Sequence, residues 1–183
     1  MNPVVILTDS TAYLPAEVIA DLPVRVLPLT LNYEGQTYRD GIDISAEELY
    51  TRMTKSSTLP TTSQVPAGEI EAALRDLLAE GYDVLLMFIS SGISSTYASA
   101  ASAVQHFPPE RVALIDTQLV SMALGFQVLA AARLAAAGGS LAACKARAEQ
   151  AYHEIGVYFT VDTLKYLAAG GRIGTAKRLL GAA

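Results

Sequence analysis

Asp83-Val84-Leu85-Leu86-Met87-Phe88-Ile89, running straight into Ser90-Ser91-Gly92-Ile93-Ser94-Ser95-Thr96, is the stretch on which the fold turns. Large apolar residues without polar alternation mark a strand buried on both faces. The hydroxyl and glycine cluster ends it, and an alanine-rich helix is expected to follow as far as about His106. Upstream, Pro66 can open a helix in which Ile70, Ala73, Leu74, Leu77 and Leu78 share one face. Before it lies a polar stretch, Lys55 to Gln64, and then Ser45-Ala46-Glu47-Glu48, a capping box in which the hydroxyl and Glu48 satisfy each other's end of the turn. Asn32 to Asp43 has turn chemistry around a short Thr37-Tyr38 segment, Val24 to Leu31 reads as one buried strand, and Val4 to Leu7 as a central one. Downstream, Pro108-Pro109 breaks the chain before a strand over Val112–Ile115 ending at Asp116-Thr117. A long helix to Ala137 stops at Gly138-Gly139, Ser140 caps another, and Ile155 to Val161 reads as a further strand. Strands alternating with helices predict an α/β fold, a parallel sheet with helices on both faces.

Composition narrows the function. The 183 residues carry 13 Lys plus Arg against 18 Asp plus Glu, a net charge of −5, with 51% apolar and 17% charged residues. Such a chain has enough apolar surface for a core and lacks the clustered cations that nucleic-acid binding requires. One cysteine, Cys144, excludes a disulfide framework and a four-cysteine zinc site, and two histidines, His106 and His153, leave little for metal binding. No metal site and no cofactor are expected. The first nine residues have no basic region ahead of an apolar one, so they do not read as a signal peptide. Leu119 to Ala137 has the length of a membrane span, but Gln127, Arg133 and its many alanines point to a buried or half-buried helix. No stable membrane insertion and a cytoplasmic location are the expectations.

The end of the chain is unlike the rest. Asp162 is the last acidic residue, and Lys165, Arg172, Lys177 and Arg178 follow with no acid to balance them. A strand and one or two short helices cannot bury a core alone, so residues 1–154 read as an α/β domain and 155–183 as the beginning of a second, incomplete one.

In an open parallel sheet, ligands bind at the carboxyl ends of the strands, where strand order reverses. Asp9-Ser10-Thr11, Pro60-Thr61-Thr62-Ser63-Gln64, Ser90 to Thr96 and Asp116-Thr117 are expected to converge there. They are rich in hydroxyls, and the Gly92-Ile93-Ser94-Ser95 turn leads into a helix whose first N–H groups suit an anion. Helix capping by Ser94 or Ser95 without a ligand is the plainer reading of the same residues. No Walker loop, no G-x-G-x-x-G after a strand and no G-x-S-x-G elbow is present. Asp9-Ser10-Thr11 departs from the D-x-D-x-T of aspartate-based phosphatases at Thr11, which removes the second carboxylate. His106 reads as an exposed helix-end residue, His153 as a helix-end cation and Cys144 as a small residue on a helix face, so no catalytic residue is assigned.

Together the motifs resemble a family. Thr8-Asp9-Ser10-Thr11-Ala12-Tyr13-Leu14-Pro15, Pro60 to Gln64, Ser90 to Tyr97, and Phe159 to Leu167 followed by Gly170-Gly171-Arg172-Ile173-Gly174 resemble, in order, the signatures of DegV-family proteins. The departures are Tyr13 in place of an Asp, Ser95 in place of a Gly, and a shortened second domain. The resemblance implies a lipid-binding protein of the DegV (EDD) fold that buries a long-chain fatty acid in an apolar tunnel. It also implies presentation of the carboxylate to a separate fatty acid kinase subunit for acyl phosphate formation, so the carrier itself is not an enzyme. By the same resemblance the carboxylate contacts fall on Thr62 and Ser94, with Ser95, Ser63 and Ser10 beside them, and Arg172 near the entrance or the kinase-facing surface. The alternative is a small-molecule enzyme on a doubly wound fold, acting on a phosphorylated substrate through Asp9 and the Ser/Thr loops.

Overall fold

Parallel strands need crossovers, and this sequence supplies helices between them. The computed structural model describes residues 2–158, 160–172 and 174. Strands β1 (Val4–Asp9), β2 (Val24–Leu27), β6 (Asp83–Phe88) and β7 (Val112–Asp116) form a parallel sheet in the order β2-β1-β6-β7. A second, antiparallel sheet, which the sequence did not announce, holds β3 (Thr30–Tyr33), β4 (Gln36–Arg39) and β5 (Thr61–Ser63) in the order β4-β3-β5. The helices are α1 (Ala16–Ile19), α2 (Ala46–Met53), α3 (Ala67–Ala79), α4 (Thr96–Ala103), α5 (Ser121–Ala136), α6 (Leu141–Glu154) and α7 (Lys165–Ala169).

The parallel sheet is buried on both faces, and alternate residues divide between two cores. Val4, Ile6, Leu85, Met87 and Ile115 face Leu124, Val128 and Ala132 of α5 and Cys144 and Ala148 of α6. Val5, Leu7, Leu86, Phe88 and Val112 face Ile70, Leu74 and Leu77 of α3 and Ala100 and Ala103 of α4. Each fully buried Leu, Ile or Phe contributes about 1.5–3 kcal/mol, which makes β1 and β6 the anchors of the domain. Alanine on α4 and α5 lets these helices lie close to the sheet, and buried Gln127 donates from Nε2 to the Ala148 carbonyl at 3.0 Å, tying α5 to α6.

Several expectations need correction. Val24 to Leu31 is two strands in two sheets, because Pro28 lacks an N–H for a ladder and the chain changes sheet across Leu27–Leu29. The segment around Thr37-Tyr38 is a hairpin strand, with Glu34 and Gly35 at φ 52° and 76° making a tight turn of the type that suits strand twist. The polar stretch before Pro66 contains β5, an addition to that hairpin. Ser45 caps α2 by accepting the Glu48 N–H at 3.1 Å, but the Glu48 carboxylate pairs with Arg52 instead of completing the box. The helix before His106 ends at Ala103 and tightens into one 3₁₀ turn over Val104–His106. The strand expected over Ile155 to Val161 is absent among the described residues: no neighbouring strand pairs with it, and Tyr158 is 99% exposed. Phe159 of that stretch lies outside the described residues, as do Ile173, Lys177 and Arg178.

Candidate functional site

Strand order reverses between β1 and β6: from β1 the chain crosses first to β2 on one side and later to β6 on the other. The crevice outside their carboxyl ends is therefore framed by the turn after Asp9 and the turn after Phe88. Asp9 closes this crevice from within. It is fully buried, its Oδ2 accepts the Ile89 N–H at 2.8 Å, and its Oδ1 accepts both the N–H and the hydroxyl of Thr11. Burial raises its carboxyl above the usual 3.8, against the lowering effect of those donors. A carboxylate so enclosed staples two strand ends, with both oxygens occupied by internal donors.

The turn after β6 is built on Ser90. Its carbonyl accepts the N–H groups of Ile93 (3.0 Å) and Ser94 (3.1 Å), and its hydroxyl accepts that of Gly92 at 3.2 Å. The Ser94 hydroxyl lies 3.0 Å from Thr96 Oγ1 and accepts the Thr96 N–H at 3.2 Å, so of the two capping candidates it is Ser94 that serves the helix. Ser95 stands at the cap position of α4 with an exposed side chain that makes no capping bond. Among the described residues the N–H groups of Ser95, Tyr97 and Ala98 make no hydrogen bond, leaving first-turn donors at the positive end of the helix dipole. A hydroxyl beside free N–H groups, with no hydrogen bond to a carboxylate or imidazole among the described residues, can hold an anion without reacting with it.

Ser10, on the 3₁₀ turn after β1, is committed elsewhere. Its hydroxyl donates to Asp40 Oδ2 at 2.6 Å and accepts the Leu29 N–H at 3.1 Å, pinning the parallel sheet to the hairpin. Thr62 and Ser63 are exposed on β5, opposite Leu31 and Thr30 of β3, with hydroxyls that make no hydrogen bond among the described residues. No hydrogen bond there joins them to Ser10, Ser94 or Ser95. Arg172 follows α7, exposed, with Nη1 donating to the Gly170 carbonyl at 2.8 Å. A groove of about 600 Å³ between α5 and α6, lined by Leu129, Leu134 and Ala151 with Arg133, Arg147 and Glu154, includes none of the hydroxyl-rich turns. His106 is exposed 3.3 Å from Glu71, and His153 stacks edge-on against Tyr152 in the last turn of α6. Cys144 is buried, and that burial raises its thiol pKa.

The sequence did not single out the pairing of Ser91 with Asp116. The Ser91 N–H donates to Asp116 Oδ1 at 3.1 Å and its hydroxyl to Oδ2. The only signal available was a carboxylate at the end of a strand. The family model described as "Uncharacterised protein, DegV family" matches residues 3–183.

The chain belongs to the DegV family.

A DegV domain-containing protein of Deinococcus radiodurans is 40% identical over 178 residues, covering 97% of this chain and 63% of that protein. Among solved structures, a DegV family protein from Thermus thermophilus described for its fatty acid binding superposes with a TM-score of 0.88 at 39% identity, covering 99% of this chain and 64% of that one. DegV of Bacillus subtilis, described as a fatty acid binding protein, gives 0.87 at 34% identity, covering 99% and 64%. The chain thus spans just under two thirds of the length of these DegV relatives. Among the described residues no helix is long and apolar enough to cross a membrane, and no group of three His, Cys, Asp or Glu could hold a metal ion.

Proposed function

We propose that this DegV-family chain binds a long-chain fatty acid, with the carboxylate received at the start of α4 by Ser94, Ser95 and the first-turn N–H groups. Thr62 and Ser63 of β5 complete the set, and Ser10, whose hydroxyl proton goes to Asp40, holds the turn after β1 in place beside it. The observation that carries the reading is the open α4 N-terminus at the strand-order reversal, in a fold whose Thermus and Bacillus relatives are described as fatty acid binding. Residues 1–154 form the domain that bears the carboxylate loops, and 155–183 begin a second one. A carboxylate held by neutral donors keeps an oxygen free for phosphorylation, and the carrier passes it to a fatty acid kinase subunit in the cytoplasm, with Arg172 meeting that partner. The carrier needs no cofactor and catalyses nothing itself, because among the described residues Ser94 has no hydrogen bond to a base that would make it a nucleophile.

Mass spectrometry of lipid retained by the purified chain, followed by calorimetry with palmitate, tests the binding. Retained fatty acid and saturable binding are expected, and an empty protein that ignores palmitate would refute it. With a fatty acid kinase added, Arg172→Ala should lower acyl phosphate formation more than palmitate affinity, whereas equal losses would assign Arg172 to the lipid site.

A further inference from the structure

The turn that would receive the carboxylate is tied to the neighbouring strand end as well as to itself. Its backbone hangs on Ser90, and Ser90 is fixed from the neighbouring strand end: its N–H donates to the Leu119 carbonyl at 2.9 Å. The next residue, Ser91, gives both its N–H and its hydroxyl to the Asp116 carboxylate. Asp116 also accepts the Gln118 N–H at 3.3 Å, and Gln118 sits at φ 56°, left-handed backbone that disfavours a non-glycine residue. Below this, the Thr117 hydroxyl donates to the Phe88 carbonyl at 2.6 Å and accepts the Leu119 N–H at 3.4 Å. The segment after β7 is thus laced to the end of β6 and the turn after it at three successive levels, Phe88, Ser90 and Ser91, with Asp116 and Thr117 supplying the side chains and Leu119 a carbonyl.

We propose that Asp116 is a positioning residue of the carboxylate site: by gripping Ser91 it fixes the Ser90–Gly92 corner, and so aims the Ser94 hydroxyl and the open N–H groups of α4 at the ligand. This rests on the fatty-acid reading of that turn. Asp116 acts from behind. Its oxygens accept hydrogen bonds from Ser91 and Gln118, donors of the two strand-end segments themselves. The Thr117–Leu119 segment accepts a left-handed residue in exchange for the acceptor geometry that Asp116 provides, which is the pattern of strain held in place for a local purpose. In metal sites, side chains that only orient the ligating groups govern affinity by about tenfold or more without touching the ion, and the same geometric logic applies to an oriented hydroxyl.

The test uses palmitate titrations of the wild-type chain, Asp116→Ala, Asp116→Asn, Ser91→Ala and the Asp116→Ala/Ser91→Ala double variant, with hydrogen exchange over residues 90–96. Asp116→Ala should weaken binding about tenfold and speed exchange in the turn. Asp116→Asn, which keeps the acceptor for the Ser91 N–H, should recover part of both. Ser91→Ala removes one exposed hydroxyl and leaves the fold intact, so it reports even where the Asp116 variants fold poorly, and it too should lose affinity. The double variant should be no weaker than Asp116→Ala, because the two groups act through one contact. Wild type binding palmitate while Asp116→Ala and Ser91→Ala bind within twofold of it would overturn the positioning role alone. Failure of the wild type to bind would overturn the fatty-acid reading and this proposal with it.

Discussion

Helix α5 runs against the turn at Ser10–Ala12, and Gly125 is the residue that permits the approach. A β-carbon placed at Gly125 would lie 2.6 Å from the Ala12 carbonyl oxygen and 3.2 Å from Leu14 Cδ2. Close carbon–oxygen contacts in proteins stop at about 3.3 Å, so helix and turn must separate by roughly 0.7 Å. The obstruction is backbone, which cannot rotate aside as a side chain can. Replacing glycine by alanine inside a helix ordinarily stabilises by about 1 kcal/mol. Overpacking a close contact costs about 1–3 kcal/mol, and the rigid carbonyl places this site in the upper half of that range. The net expectation for Gly125→Ala is a loss of roughly 1–2 kcal/mol. For a chain of this size about 2–4 °C of melting temperature goes with each kcal/mol, so a fall of several degrees follows. Gly68, in the first turn of α3, has nothing within 4 Å of its built β-carbon and serves as the control. Gly68→Ala should raise stability by a few tenths to 1 kcal/mol. Urea unfolding and differential scanning calorimetry on both variants read the comparison directly. Should Gly125→Ala stabilise the protein as much as Gly68→Ala does, the helix is not held against the turn by the missing side chain.

Thr62→Val is nearly isosteric and deletes one hydroxyl donor, so palmitate affinity should fall by about 1.5–3 kcal/mol with the melting temperature unchanged, and equal affinity by calorimetry would remove Thr62 from the site. Burial raises the Asp9 pKa above 3.8, so the folded state holds that proton more tightly than the unfolded chain; stability from this group is full below 3.8 and is lost as pH rises through its folded value. Against Asp9→Asn, which does not titrate, wild-type stability should therefore decline as pH rises through that window in urea titrations. A wild-type advantage that grows with pH there would mean the Thr11 and Ile89 donors outweigh burial. The Cys144 thiol, buried with its pKa raised, should react with a disulfide reagent only on unfolding, and rapid reaction of the native chain would place it nearer the surface.

Much of the architecture was legible because it is written in short-range terms. The unbroken apolar run over Asp83–Ile89 demanded a doubly covered strand, Ser45 and Ser140 capped the helices they precede, and Gly138-Gly139 stopped α5. The four motifs that resemble the family were legible for the same reason, since each is a local string. Where sequence reading went wrong, the deciding partner lay far along the chain. Val24 to Leu31 looks like one strand until Thr30–Asn32 finds Ser63–Thr61 and leaves the parallel sheet. Ile155 to Val161 has the composition of a strand, but a strand exists only where another offers its N–H and C=O groups, and among the described residues none does. Asp9 kept its place in the motif yet changed its role, because burial among Thr11 and Ile89 is a property of the folded crevice. The hydroxyls of Ser10, Ser91 and Ser94 are alike as letters. Packing gives the first to Asp40, the second to Asp116 and the third to the start of α4, because a hydrogen bond depends on distance and angle between groups that only the tertiary structure brings together.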